Sequence, residues 1–118
     1  MPHIVLENIN STKEAFDAVT LFAEKTDNGI LKVVDKYINA QEQSALVESL
    51  AVEDGVNQNF FIQLSQKKSS LTVRLLPLTD PHKTIGVKTL MARVAKQIKD
   101  TNTAITYGKN NLEEFLIH

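Results

Sequence analysis

Apolar positions along the chain switch between two periods. Pro2-His3-Ile4-Val5-Leu6-Glu7 is short and aliphatic, which predicts a strand at the N-terminus. Ser11 stands three residues before Glu14, a capping-box spacing, and Phe16, Val19, Phe22 and Ala23 follow at helical intervals. A helix is therefore expected from about Thr12 to Lys25, with Asn28-Gly29 as its stop. Ile30, Leu31, Val34, Tyr37 and Ile38 fit a helical face, although the segment is also rich in strand formers; helix is the favoured reading and strand the alternative.

After Asn39–Ser44 the period shortens to two. Ala45–Val52, Asn59–Ser65 and Leu71–Leu78 read as three strands of an antiparallel meander, joined at Glu53-Asp54-Gly55 and Lys67-Lys68-Ser69-Ser70. Leu71, Val73, Leu75, Leu76 and Leu78 predict a third strand covered on both faces for part of its length. Asp80-Pro81 marks a helix start, and Val87, Leu90, Met91, Val94, Ala95 and Ile98 form a continuous stripe along Pro81–Lys99. Asp100-Thr101-Asn102 ends it. Ala104–Tyr107 reads as a brief strand and Asn111–Ile117 as a terminal helical turn.

Composition narrows the class. The 118 residues, 42% hydrophobic and 23% charged, make one domain spanning 1–118, without linker or internal repeat. No cysteine is present, which excludes disulfides, thiolate metal sites and a cysteine nucleophile. No apolar run reaches the roughly 18–20 residues of a membrane span, and no leader resembles a signal peptide, so a cytoplasmic chain without membrane partners is expected. Net charge is −1, yet residues 1–60 carry ten acids and four bases while residues 61–118 carry nine bases and four acids. That split predicts pairing of one half with the other, or complementary subunit faces.

Few constellations carry chemistry. Phosphate loops, dinucleotide fingerprints, nucleophile elbows and zinc-protease motifs are all missing. His3, His82 and His118 are far apart, so no metal site is expected; Asp80 beside His82 reads as a helix cap with an exposed histidine. Lys83, Lys88, Arg93, Lys96 and Lys99 lie mostly off the apolar stripe, but without interleaved aromatics this face reads as solvated, and nucleic acid is not expected to be a partner. Pro2 is the remaining feature. Exposed by removal of Met1, it would offer a secondary amine whose pKa an apolar setting and nearby cations could draw towards neutrality, making it a general base.

The opening Met1-Pro2-His3-Ile4-Val5-Leu6-Glu7 resembles that of 5-carboxymethyl-2-hydroxymuconate isomerases of the tautomerase superfamily. Glu53-Asp54-Gly55 through Asn59-Phe60-Phe61-Ile62-Gln63-Leu64-Ser65 is similar to that family's turn and long strand, and Lys109-Asn110-Asn111-Leu112-Glu113-Glu114-Phe115-Leu116 to its closing segment. Together these cover about a quarter to a third of the chain. The resemblance implies an α+β fold: a tautomerase-like β-α-β protomer, its mostly antiparallel sheet packed against two main helices, assembled as a homo-oligomer, a trimer in the first instance. It implies cofactor-free isomerisation of unsaturated keto or enol acids, with Pro2 as catalytic base and a cation holding the substrate carboxylate. The chain departs from the family at Ala45-Leu46-Val47-Glu48, where an arginine is expected; Arg74 and Arg93 are its only arginines, and Arg74, on a strand, is the better substitute for substrate binding. The alternative is a non-catalytic binding or assembly module of the same α+β class.

Overall fold

The computed structural model describes Met1–His118. Its regular elements are β1 (His3–Glu7), α1 (Thr12–Ala18), β2 (Phe22–Thr26), β3 (Gly29–Ile38), β4 (Ser44–Glu53), β5 (Val56–Lys67), β6 (Ser70–Leu75), α2 (Ile85–Lys99) and β7 (Thr106–Asn110), with 3₁₀ turns at Pro77–Thr79 and Glu113–Phe115. All seven strands join one sheet, ordered β2-β3-β4-β5-β6-β1-β7. Every pairing is antiparallel. The sheet curls into a half-barrel, and α2 lays Val87, Leu90, Met91, Val94, Ala95 and Ile98 into the buried core. Strand alternation supplies the other side: Ile4 and Leu6, Leu31 and Val33, Ala45, Val47 and Ala51, Phe60, Ile62 and Leu64, and Leu71, Val73 and Leu75 are all buried. No helix is long and apolar enough to cross a membrane.

This architecture replaces the expected tautomerase-like β-α-β protomer with two main helices: forty-five per cent of the chain is strand, and only α2 is a helix of length. The first helix stops at Ala18. There the Val19 N–H turns back to the Phe16 carbonyl at 3.2 Å, and Val19 plugs the core. Gln97 of α2 donates to the hydroxyl and carbonyl of Thr20 at 2.7 and 3.4 Å, fixing the exit. Phe22 then starts a strand in register with Val33. A three-residue spacing of Phe16, Val19 and Phe22 suits a helix, but a short helix followed by an extended corner satisfies it too.

The favoured helix over Ile30–Ile38 is strand β3. Its pairing with β4 shifts between Val33 and Asp35, a bulge in which one extra residue moves the alternation by one place. Leu31 and Val33 point inward before it, and Lys36 and Ile38 are partly buried after it. Two short alternating phases, offset by one, imitate a helical spacing.

The third meander strand ends at Leu75 and is buried on its inner face only: Arg74 is exposed and Leu78, in the following 3₁₀ turn, is 90% exposed. The main helix starts at Ile85 rather than Pro81. Asp80 pairs with Lys83, and Thr84 is the cap, its hydroxyl accepting from Val87 N at 3.2 Å. Glu53, at the end of β4, reaches the same helix terminus: its carboxylate accepts from the Thr84 hydroxyl and from Gly86 N at 3.0 Å. The last strand lies at Thr106–Asn110, not Ala104–Tyr107, and pairs along the free side of β1.

Two turns show why glycines sit where they do. Asp54 and Gly55 have φ of 51° and 80°, the left-handed pair that a two-residue hairpin needs. At Gly29, a Cβ would lie 1.8 Å from the Val52 carbonyl oxygen, so β3 can approach β4 there only without a side chain.

Candidate functional site

Arg74 and the Met1–Pro2 amide are held by different partners. Arg74 stands on the outer face of the sheet, in register with His3, and its Nε donates to Gln63 Oε1 at 2.9 Å. Pro2 is buried two residues ahead of Ile4, which faces the opposite way into the core. The Met1 carbonyl, one half of the amide that contains the Pro2 nitrogen, accepts from Asn111 Nδ2 at 2.7 Å and lies 3.1 Å from His3 Nδ1. Asn111 also accepts from His3 N at 2.9 Å, clasping the N-terminal strand. Neither Pro2 nor Arg74 lines either of the two principal concavities.

The basic side chains of α2 are largely engaged. Arg93 donates to both Glu24 oxygens at 3.1 and 3.2 Å, the one ion pair that joins the acidic half of the chain to the basic half. Lys96 pairs with Asp100 at 2.7 Å and donates to the His118 carbonyl at 3.2 Å. Lys88 lies over the Phe115 ring and Lys99 over the Tyr107 ring. Tyr107 closes this edge, its hydroxyl donating to the Ile117 carbonyl at 2.6 Å; burial pushes its pKa up. A concavity of about 310 Å³ beside Phe22, Arg93 and Ile117 lies among these pairs.

The larger concavity, about 460 Å³, opens where the β1–α1 loop and α1 meet the C-terminal end of α2. Such a volume is in the range of ligand pockets, roughly 300–1,000 Å³. Ile9, Ala15 and Ile98 line it with the loop residue Ile105, all four buried. Around this aliphatic floor stand Asn8, Asn10, Ser11, Glu14, Asp17, Thr101 and Asn102.

Local structure holds that rim in place. Asn8 takes the left-handed conformation, φ 67°, which asparagine tolerates better than most residues. Its Nδ2 donates to the Ala104 carbonyl at 2.8 Å, tying the two loops together. Asn102 Oδ1 accepts from Ala104 N at 2.9 Å and its carbonyl accepts from Ile105 N at 3.1 Å. Thr101 folds its hydroxyl back onto the Ile98 carbonyl at 2.7 Å. On the other wall Ser11 caps α1, accepting from Glu14 N at 3.1 Å, and Gln66 of β5 accepts from Thr12 N at 2.8 Å.

Charge in the groove is one-sided. Lys13 donates to both oxygens of Asp17, at 2.7 and 2.9 Å, and this hydrogen bond raises the lysine pKa. The Glu14 carboxylate has no hydrogen-bond or ion-pair partner, nor has the Asn10 side-chain amide. No lysine, arginine or histidine lines the space. Nowhere do three or more His, Asp or Glu side chains gather as a metal cage would require.

Sequence reasoning missed this groove. Its signals, the polar Asn8-Ile9-Asn10 loop and the Asp100-Thr101-Asn102 helix end, read as separate punctuation. Nothing in local spacing pairs two loops over ninety residues apart. Comparisons with family models, curated proteins and solved structures return no match for this chain.

Proposed function

We propose that the protein is a non-catalytic binding module whose site is the groove between α1 and the end of α2. One observation carries the reading: the larger concavity pairs a buried aliphatic floor with a rim of amide, hydroxyl and carboxylate groups, in which the Glu14 and Asn10 side chains are unpartnered. An apolar cavity with a few convergent polar groups is the usual make-up of a small-ligand site. The isomerase expectation has less support, because neither the proline nor its candidate cation lines a principal concavity and Arg74 is bonded to Gln63.

Amide chemical-shift mapping with a panel of small polar compounds tests the proposal. Binding should move the amides of residues 8–18 and 98–105, and Ala18→Phe, placed on a half-buried wall, should abolish those shifts without unfolding the chain. Shifts confined to other surfaces would overturn the reading. So would turnover of an unsaturated enol acid that Pro2→Ala removes, since that would make the N-terminal strand the working site.

A further inference from the structure

We infer that the groove selects an aliphatic amine, its methylenes on the hydrophobic floor and its ammonium group at Glu14. The inference rests on the groove being the binding site and adds the charge and shape of what it takes.

Three features fix the sign. First, Asp17 is neutralised by Lys13, whereas Glu14 faces the same space unpaired. Second, α2 ends at this groove, with Ile98 and Thr101 among the lining residues. The C-terminal end of a helix carries partial negative charge. Third, the nearby cations are turned elsewhere: Lys13 is held on Asp17, Lys99 lies over Tyr107, and Lys96 serves Asp100 and the His118 carbonyl. A carboxylate ligand would meet like charge here with no free countercharge, while an ammonium meets the unpaired Glu14 carboxylate and the negative end of α2.

Shape argues for a linear aliphatic skeleton. Ile9, Ile98 and Ile105 form the floor, and no aromatic side chain lines the groove on which a ring could stack. Asn10, Asn102 Nδ2 and Asn8 Oδ1 remain free to bond a second polar end. A short diamine or amino alcohol satisfies both ends, and affinity should rise with the number of methylenes laid on the floor.

Titration calorimetry and amide shift mapping with diaminobutane, butanediol and succinate, four-carbon probes that are dicationic, neutral and dianionic in turn, decide the matter. Diaminobutane should bind at least about tenfold more tightly than butanediol, the factor that one charge-assisted hydrogen bond supplies, and succinate should not bind. Glu14→Gln should bring diaminobutane down to the butanediol affinity and leave butanediol unchanged. Asp27→Asn, an exposed carboxylate in the β2–β3 turn outside the groove, should not weaken diaminobutane. Equal binding of diol and diamine, preference for succinate, or full diamine affinity in Glu14→Gln would overturn the inference while the groove amides still report an occupied site. Silence of those amides with all three probes and with the wider panel would instead remove the groove reading itself.

Discussion

The junction between Glu53 and Gly86 makes a prediction in which one substitution changes sign with its background. Gly86 occupies the first turn of α2, and its N–H donates to the Glu53 carboxylate, which also accepts from the N-cap hydroxyl of Thr84. Glu53 thus adds a full negative charge and two hydrogen bonds to the positive end of a fifteen-residue helix. Hydrogen bonds to a charged group contribute about 1.5–3 kcal/mol each when buried, and a charge at a helix end about 0.3–1 kcal/mol. Because Glu53 is only half-buried and the contributions overlap, Glu53→Ala should cost about 2 kcal/mol. Glu53→Gln, which keeps an acceptor but not the charge, should cost about 1 kcal/mol.

Gly86→Ala ought to help a helix, by up to about 1 kcal/mol. Here a Cβ would stand 2.6 Å from the Glu53 carboxyl carbon and 2.8 and 2.9 Å from its oxygens, so the carboxylate would have to leave. The net effect in the wild-type background is a loss of about 1 kcal/mol. With Glu53→Ala already present nothing remains to displace, and the same substitution should stabilise by up to about 1 kcal/mol. The coupling is about 2 kcal/mol. Urea unfolding of the four proteins, with the denaturant slope checked for constancy, reads it directly. Equal effects of Gly86→Ala in both backgrounds, within about 0.5 kcal/mol, would show that Glu53 does not anchor the helix.

Two further predictions concern the sheet. Gly29→Ala should cost at least about 3 kcal/mol, the upper end of overpacking costs, because the new methyl group would meet the backbone of Val52 at 1.8 Å and 2.6 Å rather than a movable side chain; chemical denaturation near wild-type stability would refute the close approach. Tyr37 donates to Glu48 at 2.9 Å, and that hydrogen bond leads the influences that push its phenol up to about 12 from 10.0. Between those values the folded chain keeps a proton that the unfolded chain releases, so stability should fall as pH rises through the window and show no such dependence below it. Tyr37→Phe should remove that contribution, and an alkaline ultraviolet titration in which Tyr37 ionises near 10 would contradict the Glu48 contact.

Legibility in the sequence followed how local the physics was. The apolar stripe of α2 repeats through four turns, so its periodicity alone marks both the helix and its buried face, although the helix starts four residues later than Asp80-Pro81 suggests. The real cap came from Thr84 and from Glu53, more than thirty residues earlier, and no local motif announces a carboxylate delivered from a neighbouring strand. β3 failed for a different reason. Its bulge breaks the alternation at Val33 and Asp35, and a broken period of two resembles one of 3.6. Ser11 was read correctly as a cap, yet capping says where a helix begins and little about how long it runs.

The same distinction governs function. Pro2 drew attention because its chemistry is contained in one residue and one cleavage, and a resemblance in short segments could raise it further. The groove has no such residue. It exists only because β1 is placed between β6 and β7, so that the loop leaving β1 meets the loop entering β7. Asn8 and Ala104 are joined by that pairing alone, and without it Glu14 would be one more charge on a solvated helix. Sheet order, not any single motif, turns ordinary asparagines and one unpaired glutamate into a site that favours positive charge.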